Sequence, residues 1–338
     1  MSSKLSDYDY PLPQDLIAKR PPPRRDESRM MVLHRDSQTI EHRQFRDLKK
    51  LLQEGDLLVL NNTRVLAARS FSDDHAVEFL FLEKLRPARW KCLVKPGRKM
   101  RLGATSKIDN VSLRVEEILP DGERIVALAA DVDLYSHGTM PLPPYIGRES
   151  DRADDERYQT VFAQKPGALA APTAGLHFTP EILSEIAHVF VTLHVGPGTF
   201  RPVHSENISE HRMHAESFSI SAEAAAKVNH AQRIVAVGTT TARVMETAAR
   251  KTRMLKAFKF SKRKTEFVAQ ESETSLFIYP PFEFRAVDAL ITNFHLPRST
   301  LLMLVSAFAG REFLLQAYTE AIREGYRFYS YGDCMLIL

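Results

Sequence analysis

The pattern of apolar residues changes character along the chain, and that change limits what the chain can fold into. From residue 65 to 146 the apolar residues fall in short runs, "VEFLFLE", "WKCLVKP", "LRVEEIL" and "RIVALAA", separated by Pro, Gly, Asp and Asn. Short strands at that spacing predict a small barrel or sandwich. "MPLPPYIGRESDRADDERYQ", proline-rich and then charged, reads as the exit from it. Beyond it, strand-like and helix-like runs alternate. "FVTLHVG", "RIVAVG" and "ALITNF" read as strands, and "SAEAAAKVNHA", with Ser221 as N-cap, and "TTTARVMETAARK" read as helices. Two more helices and a closing strand in "YRFYSYGDCMLIL" follow. Before residue 65, "FRDLKKLLQEG" places Phe45, Leu48, Leu51 and Leu52 on one helical face with Gly55 at the C′ position, and "DLLVLNNTRV" is a short buried strand. Alternating strands and helices predict an α/β fold, three-layered with a mainly parallel sheet. The β-rich stretch interrupts it. The expected organisation is a discontinuous α/β catalytic domain, residues 1–64 and 150–338, with an inserted small antiparallel β-barrel domain at 65–149.

Composition narrows the class. Of 338 residues, 44% are hydrophobic and 26% charged, as in ordinary globular proteins. The formal net charge of +4 is too small to demand a polyanionic partner by itself. Cys92 and Cys334 have no paired spacing, which argues against a disulfide framework or a cysteine zinc site and suits a reducing compartment. "MSSKLSDYDYPLP" lacks the pattern of a secretory signal. The most apolar run, residues 301–310, is about half the roughly 20 residues of a membrane span and reads as a buried helix. A cytoplasmic protein without membrane attachment is expected.

Two strand-to-helix joins concentrate polar chemistry. One is Gly238-Thr239-Thr240-Thr241. The other is "TNFHLPRSTLLML", which packs Asn293, His295, Arg298, Ser299 and Thr300 between two apolar runs. In open α/β sheets ligands bind at the carboxyl ends of strands, beside helix N-termini whose free N–H groups favour anions. Arg298 and Arg243 would add forked donors for a carboxylate or phosphate. Taken singly, the same hydroxyl residues read equally as plain caps and the arginines as surface residues. Six of the twelve histidines lie between residues 177 and 214. His211, His214 and Glu216 in "HRMHAE" allow a zinc or iron site, although their spacing is not that of a helical metal motif. "APTAGLHFTP" sets His177 in a small-residue turn ahead of Thr179-Pro180, an N-cap and N1 pair. It reads either as a ligand approach or as a tight buried turn. His188, on a helix-like segment, reads as structural. Residues 251–264 hold seven Lys or Arg with Phe258 and Phe260 among them. "VKPGRKMR" adds Lys95, Arg98, Lys99 and Arg101. Both suit an RNA backbone, and both suit solvated loops.

Taken together, "YDYPLP", "RDESRMMVL", "GDLLVLNNTRVLAAR", "LVKPGRK", "MPLPPYI", "ERYQTVFA", "PGALAAPTAGLHFT", "VTLHVGPGTFRPV", "EHRMHAE", "VGTTTARVMETAA", "SLFIYPPFEF" and "TNFHLPRSTLLMLVSAFAGRE" resemble the S-adenosylmethionine:tRNA ribosyltransferase-isomerases nearly end to end. The resemblance implies a β-barrel inserted in an α/β domain. It implies transfer and isomerisation of the ribosyl group of S-adenosylmethionine onto 7-aminomethyl-7-deazaguanine at the tRNA wobble position. The products are epoxyqueuosine-tRNA, adenine and methionine, with no metal and no separate cofactor, since S-adenosylmethionine is consumed as substrate. On that reading His177, His214, Glu216 and His295 are the acid–base candidates. Asn62, Thr63, Arg64, Thr173, His194, Thr199, Gly238, Thr239, Thr240, Arg243, Asn293, Arg298 and Ser299 are candidates for contact with S-adenosylmethionine or the modified base. From their basic clustering, Lys95, Arg98, Lys99, Lys259, Lys262 and Arg263 are candidates for tRNA contact, the last three in a run that is enlarged relative to the family and not carried over from it, and a monomer is expected. Three departures stand out. "RSFSDDHAVEF" is shorter than the usual stretch entering the barrel, Pro281 replaces an expected Gly, and Thr241-Ala242 replaces Ser-Val. A metal-dependent hydrolase built on the histidines of residues 177–214 and a non-catalytic RNA-binding module are the competing readings.

Overall fold

The computed structural model describes residues 4–196, 205–251 and 266–338. The chain opens with β1 (Arg29–His34) and β2 (Thr39–Gln44), then a single helical turn, α1 (Leu48–Leu51). The longer helix expected through residue 54 does not form. Asp56 closes a turn instead: its backbone N–H donates to Gln53 O at 3.1 Å and its carboxylate accepts from Gln53 N at 2.9 Å. Gly55 therefore lies in that turn rather than at C′. Its φ of +86° is one that suits glycine, and a Cβ there would meet Gln232 at 2.7 Å.

The buried strand β3 (Asp56–Asn61) leads to β4 (Thr63–Val65) and then to six strands in succession. These are β5 (Arg69–Phe71), β6 (Glu78–Arg86), β7 (Arg89–Lys95), β8 (Thr105–Ile108), β9 (Val111–Ile118) and β10 (Arg124–Leu128). They form one antiparallel sheet in the order β5-β6-β7-β10-β9-β8, with its own core of Phe79, Phe81, Trp90, Cys92, Leu113 and Val126. Between its two edges the Asp73 N–H donates to Lys107 O at 2.9 Å, so the sheet is barrel-like and nearly closed.

The chain returns through α2 (Arg152–Arg157) and β11 (Lys165–Ala168), which pairs in parallel with β4. Next come α3 (Pro180–Ser184), β12 (His188–Leu193), β13 (Glu216–Ile220), α4 (Ala222–His230), β14 (Arg233–Val237) and α5 (Thr239–Lys251). The last elements are β15 (Gln270–Thr274), β16 (Ala289–Asn293), α6 (Thr300–Ala309), α7 (Arg311–Arg323) and β17 (Cys334–Ile337). Thr179, Ser221 and Ser299 accept from the backbone N–H groups of Ile182, Ala224 and Leu302, so those three helix starts follow from local sequence.

The large sheet runs β15-β13-β12-β3-β14-β16-β17-β1-β2. It is mixed rather than mainly parallel. Strands β12, β3, β14 and β16 are mutually parallel, and β17 is parallel to β1. The pairs β15-β13, β13-β12, β16-β17 and β1-β2 are antiparallel. The cause is the number of helical crossings. Two helices, bent by 112°, follow β16 and bring the chain back to the end it left, so β17 runs the opposite way. No helix longer than one 3-10 turn lies among the described residues between β12 and β13, so that pair is antiparallel too. On one sheet face Leu57, Val59, Val191, Ile234 and Leu290 belong to the core that includes Val244, Met245, Leu302 and Leu314. On the other, Met30, Leu58, Leu60, Val235 and Ile291 meet Phe45, Phe162, Phe178 and Leu183. No single helix among the described residues is long and apolar enough to cross a membrane.

Glu246 on α5 pins the segment that feeds β16. Its fully buried carboxylate accepts from the backbone N–H groups of Arg285, Ala286 and Val287 at 2.9–3.1 Å and from Arg250 at 2.5 Å. Glu246→Ala leaves two buried N–H groups, the part-buried Arg285 N–H and a guanidinium without their acceptor, and should lower unfolding free energy by about 3 kcal/mol. Urea unfolding compared with the parent checks this; an unchanged midpoint would show that the carboxylate is dispensable.

Candidate active site

The four mutually parallel strands all end on one side, at Asn61, Leu193, Val237 and Asn293. The amino end of β1 and the loop before β17 lie on that same side, because Met30 and Asn293 both pair with Cys334. Polar groups from distant parts of the chain meet there.

At the end of β3, Asn61 behaves as an extra piece of backbone. Its Nδ2 donates to Leu193 O at 2.9 Å, and its Oδ1 accepts from Leu193 N at 3.0 Å and Thr63 N at 3.1 Å. Beside it Asn62 Oδ1 accepts from Thr192 Oγ1 at 2.7 Å, and Thr63 Oγ1 meets His194 Nδ1 at 2.8 Å. The His194 ring lies against Gly167, where a Cβ would come within 2.7 Å of Nδ1. Burial lowers the His194 pKa. Arg64 points outward and is exposed.

Asn293, at the end of β16, holds His177. Its Nδ2 donates to Tyr329 O at 2.8 Å, which turns Oδ1 toward His177 Nε2 at 3.1 Å. Nε2 must then carry the proton, and Nδ1 is left to accept from the Ser28 hydroxyl at 2.8 Å. His177 ends the 3-10 turn Thr173–His177 and is buried. Burial pushes its pKa down to about 4; the Asn293 bond opposes that shift and the nearby Arg25 charge adds to it. The ring is therefore neutral near pH 7, with one fixed tautomer.

The Gly238 join differs from its expected form. Gly238 has φ +90°, and its N–H donates to Ile291 O at 2.8 Å. A Cβ there would sit 3.7 Å from that of Ala174, so this join and the Thr173 turn are neighbours. Thr241 does not cap α5; its hydroxyl donates back to Val237 O at 2.8 Å. Thr239 is buried, and the half-buried Thr240 keeps its hydroxyl without a partner among the described residues. Arg243 is not a surface residue. It is buried in an ion pair with Glu216 and donates to Leu276 O at 3.1 Å, while the other Glu216 oxygen accepts from Gly196 N at 2.9 Å.

The remaining candidates scatter. His295 folds back into its own strand end, with Nε2 on Thr292 Oγ1 at 2.7 Å, and burial pushes its pKa down to about 3. Arg298 (φ +56°) reaches away to Asp9 and is about half exposed, its fork engaged at 2.5 and 2.9 Å. Ser299 is the α6 cap. His214 is exposed and His211 packs edge-on against Phe277, in a segment that is not helical. His188 begins β12 rather than lying on a helix; its Nδ1 meets Ile186 O at 2.8 Å and its ring lies against Phe190. Lys95, Arg98 and Lys99 are exposed on one barrel turn. Thr199, Lys259, Lys262 and Arg263 lie outside the described residues. Among the described residues no three His, Cys, Asp or Glu side chains are placed to hold a metal ion. A groove of about 740 Å³ runs from Asn62 and Thr192 along Ser219 and Gln270. Sequence reasoning missed Asn61, Ser28 and Arg25. The last two sit in "RDESRMM", whose signal was a dense polar run directly before a buried strand.

Polar side chains gathered at the carboxyl ends of parallel strands, with a separate barrel-like sheet attached, define a two-part α/β enzyme. The chain belongs to the queuosine biosynthesis protein family, whose model matches residues 5–337. It is 48% identical to the S-adenosylmethionine:tRNA ribosyltransferase-isomerase of Thermotoga petrophila, over 99% of this chain and 100% of that protein. It is 46% identical to the Desulfitobacterium hafniense protein of the same name, again over 99% and 100%. A crystal structure of S-adenosylmethionine tRNA ribosyltransferase from Thermotoga maritima is 41% identical and matches with a TM-score of 0.55, covering 98% of this chain and all of that one.

The buried His177 has a consequence for stability. Unfolded, a histidine takes up a proton near pH 6.5; folded, His177 holds off until about pH 4. The unfolded state then binds more protons in that window. Stability should fall as pH drops from 6.5 toward 4, by on the order of 3 kcal/mol from His177. In His177→Gln this acid arm should flatten when unfolding free energy is measured against pH, and an arm of parental slope would contradict it.

Proposed function

We propose that this chain transfers and isomerises the ribosyl moiety of S-adenosylmethionine onto 7-aminomethyl-7-deazaguanine at the tRNA wobble position, giving epoxyqueuosine-tRNA, adenine and methionine. The observation that carries this reading is the match over 99% of the chain to proteins named for the reaction. The site chemistry agrees with it. A proton must leave the carbon next to the sulfonium, and adenine must depart. Of the acid–base candidates, His177 is the one this reading favours: it is neutral near pH 7 and held in one tautomer between Ser28 and Asn293, and burial makes it a weak base there. Glu216, His214 and His295 remain the other acid–base candidates. Asn62, Thr63, Thr173 and Gly238 to Thr240 are the proposed contacts for S-adenosylmethionine or the modified base. S-adenosylmethionine is consumed, so no separate cofactor or metal is needed. The enzyme acts as a cytoplasmic monomer, with residues 65–149 as an inserted barrel domain and the α/β body in three layers, an arrangement supported by the apolar clusters on both sheet faces.

Incubation with S-adenosylmethionine and tRNA bearing the aminomethyl-deazaguanine base should release adenine and yield the modified nucleoside. Folded protein that produces neither overturns the proposal. In single-turnover measurements His177→Ala should slow the reaction by about a hundredfold or more, with S-adenosylmethionine binding near normal. His188→Ala should keep nearly the parental rate. A parental rate in His177→Ala would remove the histidine from the mechanism.

The exposed Lys95, Arg98 and Lys99 are the proposed contacts with phosphates of the tRNA. Replacing all three with Gln should reduce the slope of log affinity against log salt by about two to three, because each lost phosphate contact removes close to one released counterion. Binding isotherms at several salt concentrations read this out, and an unaltered slope assigns the three to solvent.

A further inference from the structure

Two guanidiniums converge on a small cleft that shares a wall with the His177 ring. Arg25 gives Nη1 to Leu176 O at 3.2 Å and Nη2 to Glu156 O at 2.9 Å. Arg157, at the end of α2, gives Nη1 to Pro23 O at 3.0 Å and Nη2 to Pro22 O at 2.7 Å. Both are held by backbone carbonyls, and among the described residues neither lies within ion-pair distance of a carboxylate. Arg148, Arg233, Arg243 and Arg250 each meet a buried carboxylate, whereas Arg35 and Arg124, like this pair, are held by carbonyls. Arg157 Nε is buried and lacks a partner among the described residues. Burial, and after it the charge of Arg157, lowers the Arg25 pKa, and the charge of Glu156 opposes that shift. The cleft encloses about 10 Å³, room for one oxygen-sized group, and is lined also by Ser28, His177, Ser330 and Tyr331. Proline walls, Pro21 and Pro22, keep the entrance stiff. Two half-buried cations without a carboxylate in ion-pair range among the described residues, with hydroxyls beside them, favour one ligand chemistry, a negatively charged oxygen.

We propose that Arg25 and Arg157 form an oxyanion pocket that seats a charged oxygen of the substrate beside His177. This rests on the proposed ribosyl transfer and deepens it. Arg298, bound to Asp9 on the far side of the β16 join, does not compete for the role. The oxyanion comes from one of two sources, the methionyl carboxylate of S-adenosylmethionine or a phosphodiester of the RNA.

The test compares the parent with Arg157→Gln and Arg25→Gln, each checked for a cooperative thermal transition. Binding is measured for S-adenosylmethionine, for its decarboxylated analogue, and for an anticodon stem-loop RNA over a range of salt. If the carboxylate is seated here, the parent prefers S-adenosylmethionine over the decarboxylated compound by about tenfold or more, and the variants lose that preference. If a phosphodiester is seated, the preference is unchanged, while RNA affinity falls and the salt slope drops by about one in each variant. A further arm does not depend on the reaction: sulfate at matched ionic strength should raise the thermal midpoint of the parent more than that of either variant. Should a Gln variant fail to fold, Arg157→Lys, which keeps the charge and loses the fork, should show the same losses in weaker form. Flat results in all arms, with the parent still releasing adenine, overturn the pocket alone and leave the arginines as ties to Pro22, Pro23 and Leu176. A parent that protects with sulfate but releases no adenine keeps the pocket and removes the proposed reaction.

Discussion

One side-chain amide organises the carboxyl end of the sheet. Asn293 gives its N–H to the Tyr329 carbonyl and its oxygen to His177. A flipped amide would turn its oxygen on the Tyr329 carbonyl and lose that bond, so the direction of one hydrogen bond settles the next. The Tyr329 carbonyl fixes the amide, the amide fixes the histidine tautomer, and the tautomer fixes which way the Ser28 hydroxyl points. Three segments far apart in sequence, the β16 end, the loop before β17 and the Thr173 turn, are thereby held in one register. Buried hydrogen-bond chains of this kind leave little room for substitution, because a lost partner leaves the others unsatisfied in a place without water.

The same economy governs charge. Glu246, Asp154 and Glu216 are carboxylates inside the fold, and each is surrounded by donors. Asp154 accepts from Arg148, from Tyr331 and from the backbone of Asp151, and those bonds outweigh burial to bring its pKa down to about 2. Buried ions are tolerated when paired and hydrogen-bonded, and expensive otherwise. Against that background the carbonyl-held pair Arg25 and Arg157 stands beside the neutral histidine, where an incoming negative group would meet it.

What could be read from the sequence was local. The caps at Thr179, Ser221 and Ser299 depend on three or four residues, and all three form as expected. The barrel strands depend on short apolar alternation, and the runs quoted for them fall on β6, β7, β9 and β10. What could not be read depends on distance along the chain. Ser28 and His177 are 149 residues apart, and Arg243 and Glu216 lie 27 apart on different elements. The mixed sheet follows from the two helices between β16 and β17, and no residue pattern within β17 announces its direction. Thr241 looks like a cap because it follows a glycine at a strand end, yet its hydroxyl satisfies the carbonyl of Val237 four residues earlier, a bond a threonine makes only once inside the helix.

The dense polar join at residues 292–304 shows why residue type alone misplaces a site. Its side chains serve three directions rather than one. Asn293 faces the Thr173 turn, His295 turns back to Thr292, and Arg298 reaches the amino-terminal segment. That segment needs a tie on both sides. Leu5 N donates to Glu206 O at 2.8 Å and Ser6 Oγ to Glu206 at 2.7 Å, while Tyr8 O accepts from Arg298 N at 2.8 Å and Tyr10 donates to the His295 carbonyl. The left-handed backbone of Arg298 is what separates these directions, since it reverses the chain between the inward His295 and the outward guanidinium. A short stretch rich in His, Asn and Arg is therefore a junction where several parts of the fold are fastened, and only Asn293 among its polar residues reaches the histidine that the site is built around.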